Sequence, residues 1–246
     1  MKNISVVIIA KDAQNHIKSC LDSLKSFDDV VLYLNDSTDA TEDIAQSYKN
    51  VNVVQGEFIG FGPTKNAAAK EATNDWILSL DSDEELPQTL INEIKELSLQ
   101  DEKEVFIIKR DNFFLGKQVK YSGWGNDYLA RIYNRSFHLF TDVAVHEKID
   151  LKSDSVQTRL INSFKHHAVD DINQFLFKIS KYSDLASKNK KTCSFSIVIL
   201  KSLFAFFKTY ILQLGFLDGW RGFVISLSNF NGKFFRYTKR YINCKN

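Results

Sequence analysis

The stretch WILSLDSDEELPQTL, Trp76–Leu90, sets an apolar run directly before four carboxylates in the five residues Asp81–Glu85. Trp76–Leu80 is near-continuously apolar, as a strand covered on both faces of a sheet must be. Charge follows at once, so the strand ends where the chain meets solvent, and Pro87 opens a helix expected to run to about Leu97. Working outward, Ile4–Ala10 (ISVVIIA), Val30–Leu34 (VVLYL) and Val51–Val54 (VNVV) share the short, β-branched character of that strand. Helical stretches lie between them. Gln14–Lys25 puts Ile17, Leu21 and Leu24 on one face, Thr41–Tyr48 follows Asp39 and Glu42 at a spacing like that of a capping box, and Thr64–Ala72 is alanine-rich after Pro63. Strand alternating with helix four times predicts a parallel, doubly wound α/β sheet. Such a sheet gathers its ligand site at the carboxyl ends of its strands, where Asp81–Glu85 fall.

Beyond this the pattern changes. Glu104–Val119 (EVFIIKRDNFFLGKQV) and Asp127–Ile149 (DYLARIYNRSFHLFTDVAVHEKI) read as longer, alternating strands, which extends the parallel half into a mixed sheet. From Asp170 onward the spacing is helical. No Pro/Gly/Ser linker and no repeat intervenes, so the expected division is a sheet domain over 1–168 and an amphipathic helical region over 169–246.

Composition agrees with a folded core: 44% of the 246 residues are hydrophobic and 25% charged, which excludes a disordered chain. Cys20, Cys193 and Cys244 are odd in number and lack C-x-x-C spacing, so they read as reduced thiols of a cytosolic protein. The first sixteen residues, in which Lys11-Asp12 stops the apolar run with no small-x-small site, read as a strand rather than a signal peptide. The net charge of +2 conceals a division, because residues 181–246 hold twelve Lys or Arg against two Asp, a net of +10, leaving −8 for residues 1–180. The two portions are expected to meet different partners.

Asp81-Ser82-Asp83 offers the carboxylate oxygens that hard divalent cations prefer, although acidic loops also occur simply because carboxylates favour helix N-termini. Its place after a buried strand favours the cation. Ala10-Lys11-Asp12 and Asn35–Thr41 (NDSTDAT) open onto the same edge, with Thr38 and Asp39 read as helix caps. Gly60–Ala69 (GFGPTKNAAA) is neither a Rossmann nor a Walker loop, and offers Lys65 and Asn66 as polar contacts. Asp127 follows the tight turn Gly123-Trp124-Gly125, and Val145–Ile149 supplies His146 and Glu147. A lone aspartate or histidine is more often a satisfied structural residue than a ligand.

Taken together, SVVIIAKD, STDAT, GFGPTKNAA, DWILSLDSDEEL, RDNFFLGKQVKYSGWGNDYLARIY and VHEKI resemble, in order and spacing, glycosyltransferase family 2, and within it the branch that includes lipopolysaccharide core β-1,4-glucosyltransferases. The likeness covers roughly Ile4–His167, and Phe216–Leu227 (FLDGWRGFVISL) is similar to that branch's C-terminal helical part. It implies a GT-A fold and inverting transfer of a hexose, with UDP-glucose the expected donor and a lipid-linked oligosaccharide the expected acceptor. It further implies that Asp81 contacts the nucleoside, that Asp83 and His146 hold Mg²⁺ or Mn²⁺, and that Asp127 is the general base, with Glu147 the next candidate. The remaining donor contacts are expected from Ala10, Lys11, Asn35, Asp36, Lys65, Asn66 and Trp124. The family's acidic residue at the end of strand two is Leu34 here, so Asn35 or Asp36 would substitute.

Residues 195–241 hold thirteen aromatics in forty-seven positions, interleaved with Lys201, Lys208, Arg221, Lys233, Arg236, Lys239 and Arg240. Lys201 and Lys208 interrupt the run before it reaches the roughly eighteen apolar residues of a spanning helix, so the tail is expected not to cross a membrane. Lying on an anionic surface suits it, each nearby Lys or Arg adding about 1 kcal/mol of attraction, and the resemblance implies that this surface is the cytoplasmic face of the inner membrane. The plainer alternative packs Phe204, Phe207, Ile211 and Leu214 on the sheet or on a second copy of the chain. No nucleic-acid module pattern appears. A protein of another class, binding nucleotide sugars or anionic lipid without turnover, would be separated from an enzyme by manganese-dependent release of the nucleotide.

Overall fold

A computed structural model describes residues 1, 3–142, 147–187, 192 and 194–245. The chain divides into two compact units, one of Met1–Arg110 with Asp127–His166, the other of Asp111–Asn126 with His167–Asn246.

In the first unit, β1 (Ser5–Ala10), β2 (Val30–Leu34), β3 (Val51–Gln55) and β4 (Trp76–Asp81) are parallel, β1 lying between β2 and β4 and β2 pairing β3. Between them run α1 (Ile17–Ser23), α2 (Thr41–Gln46) and α3 (Phe61–Lys70), and α4 (Gln88–Lys95) follows with Pro87 as its N-cap. Successive β1 residues face opposite ways, as the strand pleat requires. Ile8, Leu32 and Leu78 therefore pack with Leu21, Leu24 and Leu90, whereas Val7, Val31 and Ile77 pack with Ala68, Ala69 and Tyr133. This is why β1, β2 and β4 are apolar on both faces, whereas β3, at the sheet edge, exposes Asn52 and Gln55. Each fully buried Leu or Ile contributes about 1.5–3 kcal/mol by its removal from water.

The sheet continues through short β5 (Glu84–Glu85), β6 (Glu104–Phe114), β8 (Tyr128–Asn134) and β9 (Val156–Val169), in the order β3-β2-β1-β4-β8-β6-β9-β5 among the described residues. The antiparallel pairing of β8 with β4 and β6 makes it mixed, as the sequence reading expects.

The structure departs from the sequence expectations, or adds to them, at four points. First, α3 starts three residues before Thr64, because Gly60, at φ 108°, turns the chain into the helix and Pro63 falls in the first turn, where its missing N–H is not needed. Second, the segment after β8 is not a strand. Asn134 captures the next turn instead, its carbonyl accepting from Phe137 and His138 and its side chain from Ser136, which leaves a single bridge between Phe140 and Ile149; residues 143–146 lie outside those described. Third, β9 carries no continuous apolar signal, since only Leu160, Phe164 and Val169 of its fourteen residues are buried. Fourth, Cys244 is disulfide-bonded and is not a reduced thiol, whereas Cys20 is free and buried.

The second unit holds the end of β6, β7 (Lys117–Gln118), α5 (Ile172–Ser187), α6 (Phe195–Phe207) and α7 (Trp220–Lys245). Leu115 and Gly116, at φ 47° and 73°, form the two-residue hairpin turn that joins β6 to β7. Asp111–Asn126 belongs with the helices for a physical reason: Phe114 packs with Val119, Val169 and Ile225, and Asp218 accepts hydrogen bonds from the backbone of Lys120 and Tyr121 and from the Ser122 hydroxyl. The single division expected at residue 168 did not assign this segment to the helices. A π turn, Lys208–Leu212, extends α6, so Phe195–Leu212 forms eighteen helical residues long and apolar enough to cross a membrane by length and composition. That overturns the expectation that Lys201 and Lys208 forbid a run of this length; two cations do not offset sixteen residues of mostly apolar side chains.

Candidate active site

The register of the parallel strands sets the expected residues on one edge. Ala10 pairs with Leu34, and Ile9 with Asp81, so Lys11, Asn35 and the acidic turn after β4 all leave the sheet from its carboxyl end. Lys11 is exposed, whereas Asn35 is buried and its N–H donates to the Ala10 carbonyl. Asp36 takes φ 53°, turning the chain into a loop that is tied across to the one after β1: the Asp12 carboxylate accepts from the Thr38 N–H, and the Ser37 hydroxyl accepts from the Asp12 N–H. Asp39 accepts from the Thr41 N–H at the start of α2 and also from the Gln14 N–H, but the N-cap of α2 is Ala40, and the Thr38 hydroxyl donates to Asp12, so neither Thr38 nor Asp39 is the N-cap expected from the sequence.

Next to these loops, charged side chains alternate in sign. Lys65 projects from α3 between two carboxylates, 3.0 Å from Asp81 Oδ1 and 3.1 Å from Glu147 Oε1. Arg131, from β8, donates to Asp81 Oδ2 at 3.1 Å and to Glu84 Oε1. Arg110, near the middle of β6, lies 3.7 Å from Glu84 and donates through Nε and Nη2 to Asp127 Oδ2, each at 2.8 Å. A chain thus runs Glu147, Lys65, Asp81, Arg131, Glu84, Arg110, Asp127. Lys65 and Arg131 are each only 5% exposed and Glu84 is fully buried, so the pairs are not screened surface contacts.

Burial works against ionising Asp81, but Lys65 and Arg131 outweigh it and hold its carboxyl well below the usual range. Glu84 answers differently. Burial, reinforced by the charge of Asp81, pushes it up to about 7 against the pull of Arg131. Asp83 stands outside the chain with its Oδ2 3.6 Å from His166 Nε2, which is possible because β5 pairs antiparallel with β9 and sets Glu84 opposite His166. His166 holds Asp83 below its ordinary value despite burial.

These residues fit a divalent cation. Five carboxyls stand against three fixed cations in the cluster, and a carboxylate oxygen and an imidazole nitrogen 3.6 Å apart are near the span of two ligands on one ion whose bonds are about 2.0–2.2 Å long. Of the residues expected from the sequence, Lys65, Asp81, Asp83 and Asp127 fall in or beside this cluster. Asn66 does something else: its side chain donates to the Phe140 carbonyl and accepts from the Phe140 N–H, pinning the loop after β8 to α3. Trp124 belongs to the second unit, its ring 6.1 Å from that of Phe114 and its carbonyl accepting from Asn112. His146 lies outside the described residues. Reading the sequence assigned no role to Arg110, Arg131, Glu84 or His166. An arginine in the middle of the apolar run LARIY was the one available signal, since a strand residue buried there needs carboxylate partners.

Residues 5–166 match the family model of glycosyl transferase family 2. An uncharacterized glycosyltransferase of Rickettsia prowazekii (strain Madrid E) is 29% identical over 97% of this chain and 87% of its own length. A second, from Rickettsia typhi (strain ATCC VR-144 / Wilmington), shows the same identity and coverage. Among solved structures, Staphylococcus aureus TarS 1–349 in complex with UDP has a TM-score of 0.48 at 18% identity, covering 93% of this chain and 80% of that one. Glucosyl-3-phosphoglycerate synthase from Mycobacterium tuberculosis, in complex with Mn²⁺, UDP and phosphoglyceric acid, has a TM-score of 0.46 at 16% identity, covering 75% and 78%. The mixed sheet with its parallel nucleotide-binding half is of the GT-A type. A match that runs from β1 into β9 leaves no doubt of descent: the chain belongs to glycosyl transferase family 2 and is a glycosyltransferase that draws on a nucleotide sugar.

Proposed function

We propose that the protein is a metal-dependent, inverting hexosyltransferase that moves glucose from UDP-glucose to a lipopolysaccharide core or related surface-glycan acceptor at the cytoplasmic face of the inner membrane. The observation that carries the catalytic part is the acidic turn after β4, where Asp83 and His166 stand together beside a cluster with more carboxyls than fixed cations. The choice of glucose and of a lipid-linked acceptor rests on the sequence resemblance alone.

In this reading Asp127 takes the proton of the acceptor hydroxyl as that oxygen attacks the anomeric carbon from the face opposite the diphosphate. The bond from the anomeric carbon to the diphosphate oxygen breaks, with inversion. Arg110 positions Asp127 by gripping one carboxylate oxygen, and Lys65 and Arg131 keep Asp81 ionised to accept from the nucleoside. Asp83 and His166 would hold the Mg²⁺ or Mn²⁺. A bound divalent cation supplies positive charge that offsets the charge growing on the departing diphosphate.

The membrane part rests on the second unit. α6 packs on α7, with Val198 and Ser202 of α6 buried and Lys201 Nζ donating to the Tyr237 hydroxyl at 3.3 Å. Moving this pair across a bilayer would carry Lys233, Arg236, Lys239 and Arg240 with it, at about 2.5–3.5 kcal/mol for each charge at the centre. Lying along the surface avoids that, so we place the helices on the bilayer and not through it.

The test is release of UDP from UDP-glucose with and without Mn²⁺. Slow hydrolysis that requires the metal and is abolished in Asp83→Ala supports the reading. Metal-independent release, or full activity in Asp83→Ala, rejects it.

A further inference from the structure

Within the second unit a cavity of about 430 Å³ opens between α6, the π turn and α7. Its wall carries Lys201, Lys208 and Lys233, together with Tyr237, Thr209 and Asn229. None of the three lysines has a carboxylate within ion-pairing distance among the described residues. The cations that do have partners lie off this wall; Lys239, for example, is 2.6 Å from Asp184. Lys201 is held in place by Tyr237, with its ammonium 4.7 Å from the ring centre, and Arg240 adds a second cation 4.9 Å from the same ring. Asn229 donates to the Thr209 hydroxyl at 2.9 Å, which orients polar groups on the opposite wall.

Three like charges converging on one hollow repel one another, so the arrangement is favourable only when an anion joins them. The rim identifies the source of that anion. Phe204, itself part of the wall, is 59% exposed, and Leu200, one turn before it on α6, is 66% exposed. A basic hollow inside an apolar surface matches a bilayer that offers hydrocarbon around a phosphate.

The geometry points to a binding site for the phosphate of an anionic lipid headgroup, with Lys201, Lys208 and Lys233 on the phosphate oxygens, Tyr237 at their side, and the Phe204 rim in the acyl boundary. This site is separate in sequence from the acidic turn after β4 and does not depend on which sugar is transferred.

The full-length protein is sedimented with vesicles of phosphatidylcholine alone and of phosphatidylcholine mixed with phosphatidylglycerol. Binding is expected only to the mixed vesicles. Lys208→Gln/Lys233→Gln is expected to weaken it by about 25-fold, roughly fivefold for each lysine removed, and Lys208→Arg/Lys233→Arg to retain it. Lys178→Gln/Lys181→Gln, on exposed positions of α5, removes the same charge outside the hollow and is the control. Equal weakening by both double variants would mean diffuse attraction and overturn the site. A melting-temperature rise with inorganic phosphate or pyrophosphate that needs Lys208 and Lys233, without vesicle binding, would assign the hollow to a free anion and overturn the lipid. Undiminished binding by Lys208→Gln/Lys233→Gln would also overturn it. Circular dichroism and the Mn²⁺-dependent release of UDP establish that each variant is folded.

Discussion

Lys65 sits in an alanine-rich helix with both of its carboxylate partners on other elements, so a single ammonium fixes α3, the end of β4 and the segment at Glu147. Replacing it with methionine keeps the volume but leaves Glu147 without its ammonium partner and Asp81 with Arg131 alone. Breaking a buried pair in this way costs about 3–5 kcal/mol, so Lys65→Met should lower the midpoint of urea unfolding sharply; an unchanged midpoint would show that the carboxylates find other partners. Asp127 should behave in the opposite manner. It lies at the end of the charge chain, and Asp127→Asn should keep the unfolding midpoint and the KM for donor close to wild type while turnover falls by about 10² to 10⁴-fold, the usual range for loss of a general base. Wild-type turnover would remove Asp127 from the reaction and make Glu147 the next residue to test. The sequence offered Asp127 as the base and Lys65 as a polar contact but not their partners, because Arg110 and Lys65 are far along the chain from the carboxylates they hold.

At the scale of elements, carboxylates also join helices to strands. Glu93 on α4 accepts from the backbone N–H groups of Ile161 and Asn162 in β9, at 2.7 and 2.9 Å, and from the Asn162 side chain at 2.8 Å. Asp29, before β2, accepts from the Ser5 hydroxyl at 2.5 Å and from the Thr73 N–H at 2.8 Å. In both, burial raises the carboxyl but the hydrogen bonds outweigh it and hold it below its ordinary value. A carboxyl depressed on folding adds stability that is fully present above its unfolded value, 4.5 for Glu93 and 3.8 for Asp29, and is lost as pH falls through the folded value. Thermal unfolding should therefore drop steeply below about pH 4.5, and Glu93→Gln should flatten part of that fall. An identical pH profile in the variant would show that the α4–β9 contact adds nothing. The parallel strands were legible because β1, β2 and β4 are apolar on both faces and β3 is a short β-branched run. β9 was not, since a strand with one wet face mixes polar and apolar residues, and VQTRLINSFKHHAV shows no unbroken apolar run.

For the whole molecule, a ligand that binds only the folded state raises its melting temperature by mass action, worth about 2.7 kcal/mol when it is present at a hundred times its Kd. UDP with Mn²⁺ should raise the melting temperature of the wild type more than UDP alone. In Asp83→Ala the increment due to the metal should vanish while the increment due to the nucleotide persists through Asp81. An equal shift with and without Mn²⁺ in the wild type would remove the cation from donor binding. Leu34, fully buried at the end of β2, cannot take the place of an acidic base contact, and GDP is the comparison that tests what Asn35 and Asp36 select.

By itself the sequence determined the parallel half of the sheet, the edge at which the site lies and the acidic turn after β4, because hydrophobic periodicity and the abrupt change to charge at Asp81 are local properties. The family could be named from the order of the motifs. Tertiary structure alone decided which cation meets which carboxylate, that His166 stands beside Asp83, and that Asp111–Asn126 folds with the helices. Those facts arise from pairing between strands and packing between side chains many residues apart, where a bond such as Lys65 to Glu147 spans 82 positions and leaves no trace in any local pattern.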